Sequence, residues 1–214
     1  MRYSTPTVLL KYLQYYWVAS NSKGHGIHSP FVFKFIQEIL NGKSPLIAIE
    51  NNTPAVKQIL DQIEAAGSAA LAPKNKIVIA RLLQSNHPVS FSVTGDMKPF
   101  DADSAINTNA KIGSTQSVES IDFAFIGKGQ NKETMLQSAS RLFDKMHSNS
   151  WVILHGIHAD SNMETVWNTL KEHSNIRLSI DLFTIGILFC KKNKKNKNIL
   201  SFVINTIHCY QKNS

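Results

Sequence analysis

His155 and His158 stand three residues apart in the segment LHGIH, just past an apolar run, and imidazole is the commonest metal ligand in proteins. A metal centre needs three or four protein ligands. Asp160 is the only further ligand type close by in sequence, so the pair reads as loop histidines. His25 and His28 flank Gly26 in SNSKGHGIHSP. His28, beside Ser29, reads as a backbone-bonding residue at a helix start, with substrate contact as the alternative. Asp96, Asp101 and Asp103 are the acids of the central segment. Asp96, after a strand, is placed either to touch a ligand or to form a turn. Asp122 and Asp181, near strand termini, read as structural, and Glu164 and Glu172 fall on the polar face of a helix. GKGQNK, from Gly127, lacks the spacing of a phosphate loop and reads as a strand-end turn. Gly-x-Ser-x-Gly and His-Glu-x-x-His are both absent from the sequence. Cys190 and Cys209 are the only cysteines. They are too few for a disulfide framework or a four-thiolate zinc site, and they fit free thiols in the cytoplasm.

The elements that position these residues follow from periodicity. Ser4, Thr5 and Pro6 open a helix running to about Ala19, with Leu9, Leu10, Leu13 and Trp17 on one face. Ser29 and Pro30 open a second, with Val32, Phe35, Ile36, Ile39 and Leu40 as its buried stripe and Gly42 at its end. Thr53 and Pro54 repeat the pattern, with Val56, Ile59, Leu60 and Ile63 inward and Gly67 as the stop. A fourth helix is expected from Pro73 to Gln84. Beyond it the period shortens. Strands are expected at Val89–Val93, Ile121–Ile126, Trp151–Leu154, Ile176–Leu182 and Ile185–Cys190, and Ile199–Ile204 is a further candidate. Helices are expected at Asn131–His147 and after a cap at Asp160 or Ser161. Strands alternating with single crossover helices mean an α/β sheet with parallel pairing. The short link between the last two strong strands makes them an antiparallel hairpin at the sheet's end.

Charge and composition narrow the function classes. The chain has 214 residues, 43% hydrophobic and 18% charged, enough apolar mass for a core and too little charge for disorder. Its net charge is +8, much of it from Lys191, Lys192, Lys194, Lys195 and Lys197. Such a run suits nucleic acid or an acidic membrane surface, but no aromatic residues interleave with it, and a solvated turn accounts for it. No apolar run approaches the roughly 18 residues of a membrane span. The N-terminal stretch, interrupted by Lys11 and Gln14, does not read as a signal peptide. Tyr12, Tyr15, Tyr16 and Trp17 crowd the first helix, which either docks on the domain or meets a protein partner or second copy.

GHGIHSPFVFKFI, from Gly24 to Ile36, resembles the N-terminal signature of a bacterial group of class I S-adenosylmethionine (SAM)-dependent methyltransferases. IDFAFIGKGQNKETM, WVILHGIHADSNMETVWNTLKEH and SIDLFTIGILFCKK resemble that group's C-terminal half, and LAPKNKIVIARLL resembles the helix before its first core strand. The resemblance implies a Rossmann-like, doubly wound methyltransferase-type sheet with an antiparallel last hairpin. Here it is shortened to five or six strands, with an N-terminal helical extension over 1–70 and an α/β core over 71–214. It implies SAM as cofactor, a methyl acceptor as second substrate, and cofactor contacts at Gly95, Asp96 and Gly127.

The family's first strand ends in an acidic residue and a Gly-rich turn, and its second in a ribose-binding acid. Only Asn86 to Ser120 is left for that half of the sheet, and one βαβ unit takes about 30 residues. VSFSVTGDM matches either the family's first strand or its third. After the fourth family strand Gly127 and Gln130 stand where Asp and His are usual, and after the fifth His155 and Gly156 replace two aspartates. The resemblance therefore implies a degenerate member with methyl transfer weakened or lost. The alternative is a non-catalytic binding module acting through the basic segment or the aromatic helix.

Overall fold

A computed structural model of the chain describes residues 3–18, 20–21, 29–66, 71–95, 106–107, 119–128, 131–190 and 200–205. The elements run α1 (Thr5–Val18), β1 (Ser20–Asn21), α2 (Pro30–Phe35), which continues into a π-helical turn (Ile36–Leu40), α3 (Leu46–Asn52), α4 (Pro54–Ala66) and α5 (Pro73–Asn86). They continue with β2 (Ser90–Thr94), β3 (Ile106–Asn107), β4 (Ile121–Ile126), α6 (Lys132–Asp144), β5 (Met146–His155), α7 (Ser161–Lys171), β6 (Ile176–Asp181), β7 (Ile185–Cys190) and β8 (Leu200–Asn205). The fold is α/β and Rossmann-like, a mixed sheet of six strands with helices on both faces. The two-residue β1 and β3 extend the sheet order to β1-β8-β6-β7-β5-β4-β2-β3.

Strands β2, β4 and β5 are parallel neighbours. β7 is inserted antiparallel between β5 and β6, and β8 lies parallel to β6. The β6–β7 hairpin is therefore antiparallel as expected, but it does not end the sheet. β8 pairs with the free side of β6, because the apolar alternation from Leu200 to Ile204 supplies one more strand.

The sheet's two faces bury different residues, as the period of two requires. Phe91, Val93, Phe123, Phe125, Trp151, Ile153, Ile185 and Ile187 share one core cluster with α2, α3, α4 and α5. Ala124, Ile126, Val152, Leu154, Leu188 and Cys190 face α6 and α7. Gly186 lets α7 lie flat on β7. A Cβ there would come within 2.5–2.8 Å of the Trp167 ring, which fills the space.

Helix starts follow the sequence. The Ser29 hydroxyl accepts from the Val32 N–H with Pro30 in the first turn, Asn131 caps α6, and Asp160 rather than Ser161 caps α7. The buried Arg81 guanidinium donates to the carbonyls of Ile39, Leu40 and Ser44, satisfying the open end of the π-helical turn. The leucine side of α1 faces outward, the reverse of a helix that docks by its aliphatic stripe. Leu9, Leu10 and Leu13 are 48–59% exposed, whereas Tyr15 is buried. Tyr12 and Tyr15 pack on Phe183, and the Tyr15 hydroxyl donates to the Ile204 carbonyl. Aromatic area and a hydrogen bond to β8 outweigh the leucine stripe. No helix among the described residues is long and apolar enough to cross a membrane.

Candidate functional site

In an open α/β sheet the carboxyl ends of the strands form the ligand crevice. Here β2 and β4 stay paired to their ends. The Gly127 N–H donates to the Thr94 carbonyl at 2.7 Å. Gly95 is buried beneath the last residue of α4: a Cβ on it would run into the Ala66 carbonyl oxygen and lie 2.9 Å from the carbonyl carbon. The backbone above Gly95 is thus already occupied by protein. Asp96 lies outside the described residues, as do His25, His28, Asp101, Asp103, Cys209 and the Lys191–Lys197 run.

The crevice opens one step along, over β4 and β5. It encloses about 410 Å³, within the few hundred cubic ångströms usual for small-molecule sites. Its floor is Phe125, Gly127 and Lys128 from the end of β4, and His155, Gly156, His158 and Ala159 after β5. Phe183 and Thr184 from the β6–β7 turn form one wall. Tyr3 and Val8 at the start of α1, Ile63 of α4 and Leu71 close the rest. Gly156 has φ +74, a conformation that favours glycine, and this sharp turn brings His155 and His158 to the same crevice.

A charged cluster fastens α1 over this crevice. His158 Nδ1 is 3.0 Å from Glu164 Oε1, and its Nε2 is 2.8 Å from Asp181 Oδ2. Carboxylates only accept, so both ring nitrogens carry protons and the imidazole is a cation. Burial opposes that charge, but the hydrogen bond and charge of Asp181, then those of Glu164, outweigh it and raise the His158 pKa. Glu164 also accepts from Lys11 Nζ at 2.7 and 2.9 Å and from the Tyr3 hydroxyl at 2.8 Å. Burial alone would raise the Glu164 pKa, and these three partners hold it low instead. Phe183, at φ +68, is anchored by its N–H to Asp181 Oδ1 at 2.8 Å and stacks on the His158 ring at 5.3 Å. A bulky residue held there stores strain of about 1–3 kcal/mol, over-determined by these contacts.

His155 differs from His158. It stacks on Phe125 at 6.2 Å, and neither ring nitrogen has a hydrogen-bond partner among the described residues. Burial, reinforced by the charge of Lys128, pushes its pKa down, so the ring is neutral at neutral pH. Lys128 reaches Asp160 Oδ2 at 2.8 Å, bracing the cap of α7. Among the described residues no group of three or more His, Cys, Asp or Glu side chains is arranged to hold a metal ion.

Of the sequence-expected cofactor positions, Gly127 lines the crevice and Gly95 lies outside its lining. Sequence reasoning left out Lys128, Phe125 and Phe183 as crevice residues, and took Asp181 and Glu164 as background. Their positions at strand ends or at a helix start were the available signal. Tyr3, Val8 and Lys11 carried no such signal, because their role depends on how α1 docks. Comparison of the chain with protein-family models, with curated proteins and with solved structures gives no match.

Proposed function

We propose that this chain is a class I SAM-dependent methyltransferase-like protein whose nucleoside-holding half is degenerate, so that methyl transfer is lost and the crevice over β4 and β5 binds another small ligand. The observation that carries the reading is the closure of Gly95 by the Ala66 carbonyl. A SAM-binding turn needs its glycine backbone open to the cofactor. The antiparallel β7 beside β5 agrees with the sheet that the resemblance implies.

The described residues do not fit SAM. The carboxylates around the crevice are each engaged: Asp160 with Lys128, Glu164 with Lys11 and His158, Asp181 with His158. Among the described residues that leaves no carboxylate without a cationic partner for ribose hydroxyls, and the Lys128 cation lining the crevice disfavours a sulfonium there. Calorimetric titration with SAM and with S-adenosylhomocysteine tests the reading. We expect no heat of binding at micromolar concentrations, and a micromolar Kd for either compound refutes it.

One observation favours a second reading, a binding module for a protein partner or second copy. Leu9, Leu10, Leu13 and Tyr16 form an exposed apolar face on α1. Sedimentation velocity over a range of protein concentrations distinguishes self-association from a monomer.

A further inference from the structure

The crevice is apolar apart from a few polar groups, and those groups differ in how far they are already used. The Tyr3 hydroxyl is committed to Glu164, both nitrogens of His158 to carboxylates, and the Thr184 hydroxyl to Asn75 at 2.9 Å. Two groups retain donors. Lys128 has three N–H bonds and spends one on Asp160, so two are left to give. His155 has no hydrogen-bond partner among the described residues. Both line the same cavity, and the Lys128 side chain runs beside Gly156, the residue that follows His155. Lys128 can only donate and the neutral His155 ring has one N–H to give, so an acceptor-only group can satisfy both. The rings of Phe125 and Phe183 call for a flat apolar body beside it.

We propose that the crevice binds an aromatic or bulky apolar monocarboxylate, its carboxylate held between Lys128 Nζ and the His155 imidazole and its apolar body lying between Phe125 and Phe183. This deepens the crevice reading above and rests on it. Charge balance among the described residues does not oppose an anion. Lys11, Lys128 and protonated His158 are matched by Asp160, Glu164 and Asp181 around the crevice, so it holds no surplus acid to repel a carboxylate. Bound there, the anion draws a proton onto His155, whose other charged neighbour is Lys128.

The test compares 2-naphthoate with 2-naphthylmethanol, which has the same rings without the charge, by calorimetry on the full chain at neutral pH. We expect the carboxylate to bind about tenfold or more tightly than the alcohol, the margin of a charge-assisted over a neutral hydrogen bond. Its binding should also be accompanied by proton uptake in buffers of different ionisation heat. In Lys128→Met and His155→Leu the carboxylate's advantage should shrink while the alcohol's affinity stays. Equal wild-type affinity for the two probes overturns the carboxylate assignment and leaves the crevice reading intact. Failure of both probes to bind overturns the crevice reading and this inference with it.

Discussion

The carbonyl group of Ala66, at the end of α4, fills the space directly above Gly95, at the end of β2. The backbone of Gly95 has an ordinary φ, so an alanine would be conformationally acceptable. On backbone grounds Gly95→Ala would stabilise the protein by about 0.4–1 kcal/mol. Because the new methyl meets backbone rather than a movable side chain, we predict destabilisation by about 1–3 kcal/mol instead. Urea unfolding of the two proteins decides the sign. Unchanged or increased stability would mean that the space above Gly95 is open.

His158 makes stability depend on pH. Its pKa is raised in the folded protein, so its contribution is fully present below the unfolded value of about 6.5 and is lost as pH rises through the folded value. The lowered pKa of Glu164 works oppositely, its share being lost as pH falls through the folded value. Thermal melts of wild type and His158→Gln should therefore differ most in mildly acidic buffer. The gap should narrow toward alkaline pH, where His158 is neutral in both states. A gap independent of pH would contradict the cationic bridge.

The outward leucine side of α1 has a direct consequence. Leu9→Ser and Leu10→Ser should each change stability by no more than about 0.5 kcal/mol, as exposed positions do. Tyr15→Ala should cost about 3 kcal/mol or more, since it removes a buried ring and the bond to the Ile204 carbonyl. Chemical denaturation ranks the three. The opposite ranking would put the leucine face in the core.

Cys190 is buried between β7 and the helices of the second face, and burial pushes its thiol pKa up to about 12. The thiolate is the reactive form. Mass mapping after brief iodoacetamide treatment at mildly alkaline pH should find Cys190 unmodified in the native protein and alkylated in urea. Rapid native alkylation would show that this core opens.

The strands and most helices were legible because apolar residues repeat with the period of the element that buries them. The stripe from Val32 to Leu40 names a face that the structure buries, and the apolar run IDFAFI a strand that it buries on both faces. Helix α3 was missed because LIAIENN lacks a capping side chain and offers little periodicity in seven residues. The docking face of α1 was not legible because sequence counts apolar side chains, whereas docking was decided by ring packing on Phe183 and by Lys11 reaching Glu164, 153 residues away. The crevice was half legible. Gly127 and His155 sit at strand ends that the pattern located. The closure of Gly95 depends on where α4 ends in space, and no local pattern encodes that.

A ligand meets the sheet either over β2 or over β4 and β5, and the backbone amides of Gly95 and Gly156 report on the two alternatives. In ¹H–¹⁵N spectra of the labelled protein, titration with 2-naphthoate should shift the Gly156 amide progressively, and S-adenosylhomocysteine should leave Gly95 unmoved. A saturable shift of Gly95 on adding S-adenosylhomocysteine, with Gly156 indifferent to 2-naphthoate, would place the ligand site over β2 and contradict the account.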